Sequence, residues 1–230
     1  DLAVLRDGGY AEVVLATGVT PRDPAIPGAA EHRATGRVLG YADVLLGRHE
    51  CGPRVAIVGA GGIGFDVAEF LVSQRHSTAL DLPAWQREWG VTDPAHARSG
   101  LAPPQPSPPD RRVYLLQRKS TPLGKGLGKT TGWIHRAALR MKHVEMLGGV
   151  NYERIDERGL HVSFGERRER PMLLEVDNVV LCAGQVPSCE LYDPLEMSGV
   201  TVHKIGGADV AAELDAKRAI DQGSRLAAKL

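Results

Sequence analysis

The feature that most constrains this chain is a glycine-rich turn between an apolar run and an amphipathic segment. The turn, Gly59-Ala60-Gly61-Gly62-Ile63-Gly64, has the spacing G-x-G-x-x-G. The apolar run 55–58 before it is typical of a buried strand, and apolar residues at helical spacing over 63–72 predict a helix after it. This strand–turn–helix context indicates a dinucleotide-binding fingerprint; a glycine-rich turn without a ligand is the alternative.

Each residue type in the turn has a physical role in that hypothesis. Gly59 permits a tight turn, and Gly61 lets a pyrophosphate approach the backbone. Gly64 lets the helix pack closely on the strand. The helix begins near Gly62 and Ile63, where free N–H groups and the positive end of the dipole face the phosphates. We therefore predict that these five residues bind the cofactor.

The end of the second strand predicts which cofactor is bound. The fingerprint expects an acid there, about 20 residues further on, to hold a ribose hydroxyl. Gly64 and Arg118 are 54 positions apart, and leaving out an interruption of 36 residues, 75–110, reduces the separation to 18. Arg118 and Lys119 occupy the position instead of an acid, and two cations would pair with a 2′-phosphate. We therefore predict NADP(H); solvated surface charges are the alternative.

The interruption and the loop after the second strand are unusual. The interruption holds Trp85 and Trp89 at helical spacing and ends in the proline-rich stretch 103–109, which predicts an extended connector. The loop Gly124–Thr131 resembles a P-loop, but the first glycine that this motif requires is replaced by Leu123, so we reject nucleotide hydrolysis. The loop either contacts the phosphates of the dinucleotide or is a solvated loop.

Composition excludes several classes of function. Lys and Arg together number 28, as do Asp and Glu, so the chain has no electrostatic reason to bind nucleic acid. No apolar run reaches the roughly 20 residues of a membrane helix. The three cysteines fit no metal or redox spacing, and with no secretory segment they indicate a reducing cytoplasm. Because the chain begins at Asp1, we expect a piece of a longer polypeptide, and nothing indicates an oligomer rather than a monomer.

Two further strand ends lie outside the fingerprint unit. Ala16-Thr17-Gly18 follows an apolar run, Ala183-Gly184 follows another, and Gly207 with Asp209 follows a third, before a helix expected from residue 213. Asp209 either accepts a hydrogen bond from a ligand hydroxyl or caps a helix; taken alone, capping is the commoner role. Strands alternating with helices predict an α/β fold with a mostly parallel sheet.

The combination of these motifs resembles flavoproteins with two dinucleotide-binding domains, in which an NAD(P) domain interrupts an FAD domain. More closely, it resembles bacterial NADPH-dependent 2,4-dienoyl-CoA reductases. The resemblance covers nearly the whole chain and is carried by the following segments: 55–66 (VAIVGAGGIGFD), 116–136 (LQRKSTPLGKGLGKTTGWIHR), 176–185 (VDNVVLCAGQ) and 205–222 (IGGADVAAELDAKRAIDQ).

The resemblance implies a Rossmann-type NADP domain at 51–172, with the insertion 75–110, between two parts of an incomplete FAD domain, 1–50 and 173–230. It implies that hydride passes from NADPH to FAD, and that electrons then pass through an iron–sulfur cluster to FMN in a β/α barrel, which reduces the dienoyl-CoA during fatty acid β-oxidation. This chain has no barrel, cluster cysteines or second glycine fingerprint, so no catalytic or metal-binding residue is assigned to it.

By the same resemblance, FAD or the cleft beside it is lined by residues of the other strand ends, with Asp209 on the ribityl chain. These residues are Ala16, Thr17, Gly18, Ala183, Gly184, Gly207 and Asp209. The partners implied are NADPH and the rest of the polypeptide, and we expect the chain alone to be inactive on acyl-CoA. The alternatives are the matching region of an enoate reductase or amine dehydrogenase, and a non-catalytic nucleotide-binding module.

Overall fold

The computed structural model describes residues 1–73, 77–212 and 216–230. Its helices are α1 (Leu2–Asp7), α2 (Ala29–Arg33), α3 (Tyr41–Leu45), α4 (Gly62–Ser73), α5 (Leu82–Trp89), α6 (Gly132–Met141), α7 (Tyr192–Met197) and α8 (Ala216–Ala227). Its strands are β1 (Glu12–Leu15), β2 (Val19–Pro21), β3 (Val38–Gly40), β4 (Arg54–Val58), β5 (Arg112–Gln117), β6 (Glu145–Gly148), β7 (Val150–Asp156), β8 (Gly159–Phe164), β9 (Glu169–Leu174), β10 (Asn178–Leu181), β11 (Gln185–Pro187) and β12 (Thr201–Lys204).

The chain divides into two compact units, one of residues 23–183 and one of residues 1–22 with 184–230. The domain boundaries predicted from the sequence, at 50/51 and 172/173, instead divide the chain by the cofactor that each segment is expected to bind. The compact units differ from them because β3, which lies within 23–50, pairs with β10 in the sheet of the larger unit. Compactness does not assign a cofactor, so the assignment of the segments to FAD and NADP stays a prediction.

A five-stranded parallel sheet with the order β3-β10-β4-β5-β6 forms the centre of the larger unit. Strands β4, β5 and β10 are almost wholly buried apolar runs, as expected of a parallel sheet covered on both faces. Val55 and Ile57 pack in one cluster with α4 and with Leu139 of α6, while Ala56 and Val58 pack in another with strands β7 and β8. The predicted α/β fold with a parallel sheet is confirmed.

The order of these strands sets the position of a ligand crevice. Along the chain β4 is followed by β5 and β6 on one side, and the chain then returns to β10 on the other side of β4. Such a reversal leaves a crevice at the carboxyl ends of the two strands that flank it. The crevice of this unit is therefore expected between β4 and β10.

The proline-rich interruption is held by Lys142, the residue that directly follows α6. Its helix α5 carries Trp85 and Trp89, whose ring centroids lie 6.5 Å apart, and residues 103–109 form neither helix nor strand, as predicted. The buried ammonium of Lys142 lies 3.2 Å from Glu88 and donates to the Ser107 carbonyl at 3.0 Å. The end of the interruption is fixed because Asp110 N–H donates to the Val72 carbonyl at 3.1 Å. Its predicted first residue, 75, lies outside the described residues.

The smaller unit contains two short sheets. Strands β1 and β12 pair in parallel, and β2 and β11 pair antiparallel. Its buried core is formed by Val13, Leu15 and Leu195, with helices α1 and α7 packed around it. In neither unit do the described residues include a helix long and apolar enough to cross a membrane.

Candidate dinucleotide-binding site

The glycine turn sits where the topology places the crevice, at the carboxyl end of β4. Gly59 N–H donates to the carbonyl of Leu116 at 2.9 Å, which joins the turn to the end of β5. Gly59 has φ +112°, and a Cβ there would overlap the backbone of Cys182. A Cβ on Gly64 would overlap the carbonyl oxygen of Gly59. Both positions thus require glycine for close backbone packing, as the fingerprint predicts for Gly64.

No neighbour among the described residues requires glycine at Gly61 or Gly62. No described atom lies within 4 Å of a Cβ built on Gly61 or Gly62. Helix α4 begins here, and the N–H groups of a first helical turn have no partner within the helix. Ile63 packs its side chain against the larger core cluster, so only its backbone faces the turn. The space and the N–H groups together fit a dinucleotide pyrophosphate.

The cations predicted to select the cofactor lie beside this turn. Strand β5 pairs with β4 so that Leu116 is opposite Val58, and Arg118 and Lys119 follow it as exposed residues. The amide of Gln117 donates to the carbonyls of Lys119 at 2.8 Å and of Thr121 at 2.7 Å, which holds the backbone of this bend. The sequence did not predict this role of Gln117, because a glutamine after a strand carries no distinctive pattern.

The Arg118 guanidinium has an electrostatic neighbour in the same unit. Burial raises the pKa of the Tyr152 hydroxyl, and the positive charge of Arg118 acts on that group in the opposite direction. Tyr152 lies on β7, which follows the edge strand β6 along the chain. Arg118 is therefore near Tyr152 of β7, and its own side chain stays exposed.

Ala183 completes the set of predicted residues in the larger unit. Strand β10 pairs with β4, with Leu181 opposite Val58, and Cys182 N–H donates to the Val58 carbonyl at 2.8 Å. Ala183 therefore follows at the same edge, next to the backbone of Gly59. Burial raises the pKa of the Cys182 thiol to about 12, so this neighbouring sulfur is a packing group and not a nucleophile.

The remaining predicted residues lie in the smaller unit. Thr17 donates from its hydroxyl to the carbonyl of Ser188, and the carbonyl of Gly18 accepts from Ser188 N–H at 3.0 Å. Gly207 packs against Gly18, because a Cβ on Gly207 would lie 3.0 Å from the Gly18 carbonyl carbon. The strand ends after β1, which include exposed Ala16, and after β12 are thus brought together.

Gly184 and Asp209 occupy the margins of that arrangement. The carbonyl of Gly184 accepts from Arg22 N–H at 3.0 Å, at the opposite end of the β2–β11 pair from Gly18. Asp209 is exposed, and its carboxylate accepts from the amide of Gln222 at 3.1 Å. A turn of 3₁₀ helix, Gly206–Ala208, follows β12, and Asp209 directly follows that turn. The predicted helix start at 213 lies outside the described residues.

The strand order, and the glycine turn at its point of reversal, define a Rossmann-type dinucleotide-binding domain. Residues 5–219 match the family described as pyridine nucleotide-disulphide oxidoreductase, and the chain belongs to that family. The family comprises flavin-dependent oxidoreductases that bind FAD and NAD(P)H.

The chain is also similar to individual proteins. It is 26% identical over 205 residues to a metal reductase of Desulforamulus reducens, covering 85% of this chain and 27% of the relative. A 2-naphthoyl-CoA reductase matches all of the chain and 28% of its own length, with a TM-score of 0.72 and 18% identity. The 6-hydroxypseudooxynicotine amine oxidase of Pseudomonas geniculata N1 matches 97% of the chain and 29% of its own length, with a TM-score of 0.66 and 21% identity.

The last two likenesses are ones of fold, at identities below a quarter. The chain spans between a quarter and a third of each of these proteins.

Proposed function

We propose that this chain is the NADPH-binding, electron-input part of a larger flavin-dependent oxidoreductase. The observation that carries the proposal is the juxtaposition of an open glycine turn on β4 with Arg118 and Lys119 at the end of the adjacent strand. When bound, NADPH supplies a hydride to the flavin. Family membership supports the pairing of these two cofactors.

The residues of the larger unit have distinct tasks in this proposal. Gly61 and Gly62 leave room for the pyrophosphate, and the first turn of α4 donates N–H groups to it. Arg118 and Lys119 donate charge-assisted hydrogen bonds to the 2′-phosphate. The amide of Gln117 holds the bend from which both side chains extend.

We assign the strand ends of the smaller unit to the flavin, with Asp209 as the acceptor for a hydroxyl of its ribityl chain. The carboxylate of Asp209 already accepts from Gln222, which fixes its direction and leaves lone pairs for a second donor. The backbone contact between Gly207 and Gly18 keeps the two strand ends close together. The rest of the FAD site, the FMN and the iron–sulfur cluster would be supplied by the remainder of the polypeptide.

For the terminal reaction we propose reduction of a 2,4-dienoyl-CoA. The fold neighbour named as a 2-naphthoyl-CoA reductase supports an acyl-CoA substrate, since its name states one. The neighbour named as an amine oxidase favours a second candidate, the matching region of an amine-oxidising enzyme. Both candidates require the same electron-input role of this chain, and activity of the full-length enzyme on the two substrate classes separates them.

The proposal is tested by titrating NADPH and NADH into the protein and into Arg118→Glu. The wild type should prefer NADPH, and Arg118→Glu should reduce that preference about tenfold or more, because a charge-assisted hydrogen bond contributes roughly 1.5–3 kcal/mol. Arg158→Glu, which makes the same charge change in the β7–β8 turn, should leave the preference unchanged. Equal preference in wild type and Arg118→Glu would remove Arg118 from the site.

A further inference from the structure

One cavity in the larger unit is lined by no described residue of the glycine turn. Its volume is about 680 Å³, and it lies between the loop after β5, the outer side of α6 and the start of β6. Arg136 ties the loop to the helix, because its guanidinium donates to the carbonyl of Gly124 at 3.1 Å. Leu127 also packs against the core. The lysine-rich loop that resembles a P-loop is therefore one wall of a defined cavity.

The cavity carries an uncompensated positive charge. Its lining includes Lys125 and Lys129 on the loop and Arg136 and Arg140, which are four positions apart on α6. Among the described residues, the lining includes no acidic one. Within the described ranges, no carboxylate lies at ion-pair distance from Lys125, Lys129 or Arg140. Four like charges around one space repel each other, and a bound anion would offset that repulsion.

The cavity extends from the carboxyl edge of the sheet, where the loop after β5 begins, to the amino edge. Strand β6 is the edge of the sheet, two strands and about 10 Å from β4. Val144 directly precedes β6, and Arg140 is in the last turn of α6, so this end of the cavity is at the amino edge of the parallel sheet. Dinucleotides bind at the carboxyl edge. The Arg140 end of the cavity is thus at the opposite edge of the sheet from the glycine turn.

The chemistry of the lining restricts the ligand. We propose that this cavity binds a small phosphate ester. Two guanidinium groups match phosphate oxygens with paired donors, and a doubly charged phosphate offsets more of the four cations than a carboxylate can. The apolar side chains of Leu123, Leu127, Val144 and Met146 provide contact for an uncharged body attached to the phosphate. The volume is within the range of small-molecule sites.

The probe is adenosine 3′,5′-bisphosphate, titrated by calorimetry into the NADPH-saturated chain, with adenosine as the uncharged comparison. We expect the bisphosphate to bind and adenosine to bind at least tenfold more weakly. Lys125→Gln/Lys129→Gln and, separately, Arg140→Gln should each weaken bisphosphate binding at least tenfold. All three side chains are exposed, so these variants should fold, which thermal melting checks.

Gly61→Val separates this inference from the proposed function, because it should remove NADPH binding and leave bisphosphate binding intact. Failure of NADPH to bind the wild type would overturn the proposed function only. Displacement of the bisphosphate by NADPH would overturn the inference by assigning the cavity to the cofactor. Absent binding, or equal binding by the charge variants, would also overturn it.

Discussion

Two substitutions in the same glycine turn should have opposite effects. Gly61→Val adds three carbons where no described atom lies within 4 Å of the Cβ position. Gly64→Ala adds one carbon where the Cβ would overlap the carbonyl oxygen of Gly59. The larger change at Gly61 should therefore leave the fold intact and impair ligand binding, whereas the smaller change at Gly64 should destabilise the fold.

The magnitudes follow from the contacts at each position. Overpacking costs about 1–3 kcal/mol, and an overlap with backbone belongs near the upper end because a carbonyl cannot change rotamer. Alanine in place of a helical glycine returns about 1 kcal/mol. Gly64→Ala should thus destabilise by about 2 kcal/mol, or about 4–8 °C in Tm for a chain of this size. Gly61→Val precedes α4 and should stay within about 0.5 kcal/mol of wild type.

The assay combines thermal unfolding by circular dichroism with calorimetric titration of NADPH. Gly61→Val should melt with the wild type and bind NADPH at least tenfold more weakly, because the new side chain occupies the space proposed for the pyrophosphate. Two results would refute the reasoning. Near-normal NADPH affinity in Gly61→Val would remove the glycine turn from the cofactor site, and a larger Tm loss in Gly61→Val than in Gly64→Ala would contradict the packing described here.

Two further predictions concern cysteine reactivity and pH. With its pKa at about 12, the Cys182 thiol is about one part in ten thousand thiolate at pH 8, so iodoacetamide should modify half-buried Cys189 first. Peptide mapping that finds Cys182 modified as fast as Cys189 would contradict the burial of Cys182. The guanidinium of Arg54 donates a hydrogen bond to the Asp177 carboxylate and lowers its pKa. The ionised carboxylate therefore stabilises the fold at pH values above its unfolded pKa of about 3.9, and this stabilisation is lost as the pH falls through the lower, folded pKa. Asp177→Ala should therefore cost about 1–2 kcal/mol at pH 7, and urea unfolding should show a smaller difference at pH 3; an equal cost at both pH values would count against the ion pair.

The sequence predicted the buried apolar elements, including the four-residue strands β1 and β10, and missed the three-residue strands β2 and β3. Strands β4 and β5 are apolar runs, and helix α4 has apolar residues at helical spacing. Both patterns are visible in the sequence without knowledge of the tertiary packing. Strands β2 and β3 have three residues each, which is too short for a period to emerge, and β2 ends at Pro21, a residue that lacks the N–H a strand ladder uses. Strand β9 was missed because four of its six residues are exposed.

The residues of the candidate site were predicted from the sequence, whereas the cavity beside α6 was not. The glycine turn and the pair Arg118 and Lys119 were predicted because backbone chemistry fixes both the motif and its spacing. The cavity beside α6 was not predicted, since Arg136 and Arg140 join the lysine loop only through tertiary packing. Charges that are distributed over a loop and a later helix show no pattern in the sequence from which a cavity could be inferred.

The contacts that hold the interruption 75–110 determine how far its length can change without destabilising the domain. The N–H of Asp110 donates to the carbonyl of Val72, so the interruption leaves and rejoins the βαβ unit at nearly the same point. The entropy of closing such a loop rises only slowly with its length, so segments of very different size can be exchanged there. Lys142 limits this exchange of segments, because its buried ammonium pairs with Glu88 of the interruption. A shortened domain would retain a buried, unpaired cation, which costs about 3–5 kcal/mol, and therefore needs a neutral side chain at Lys142.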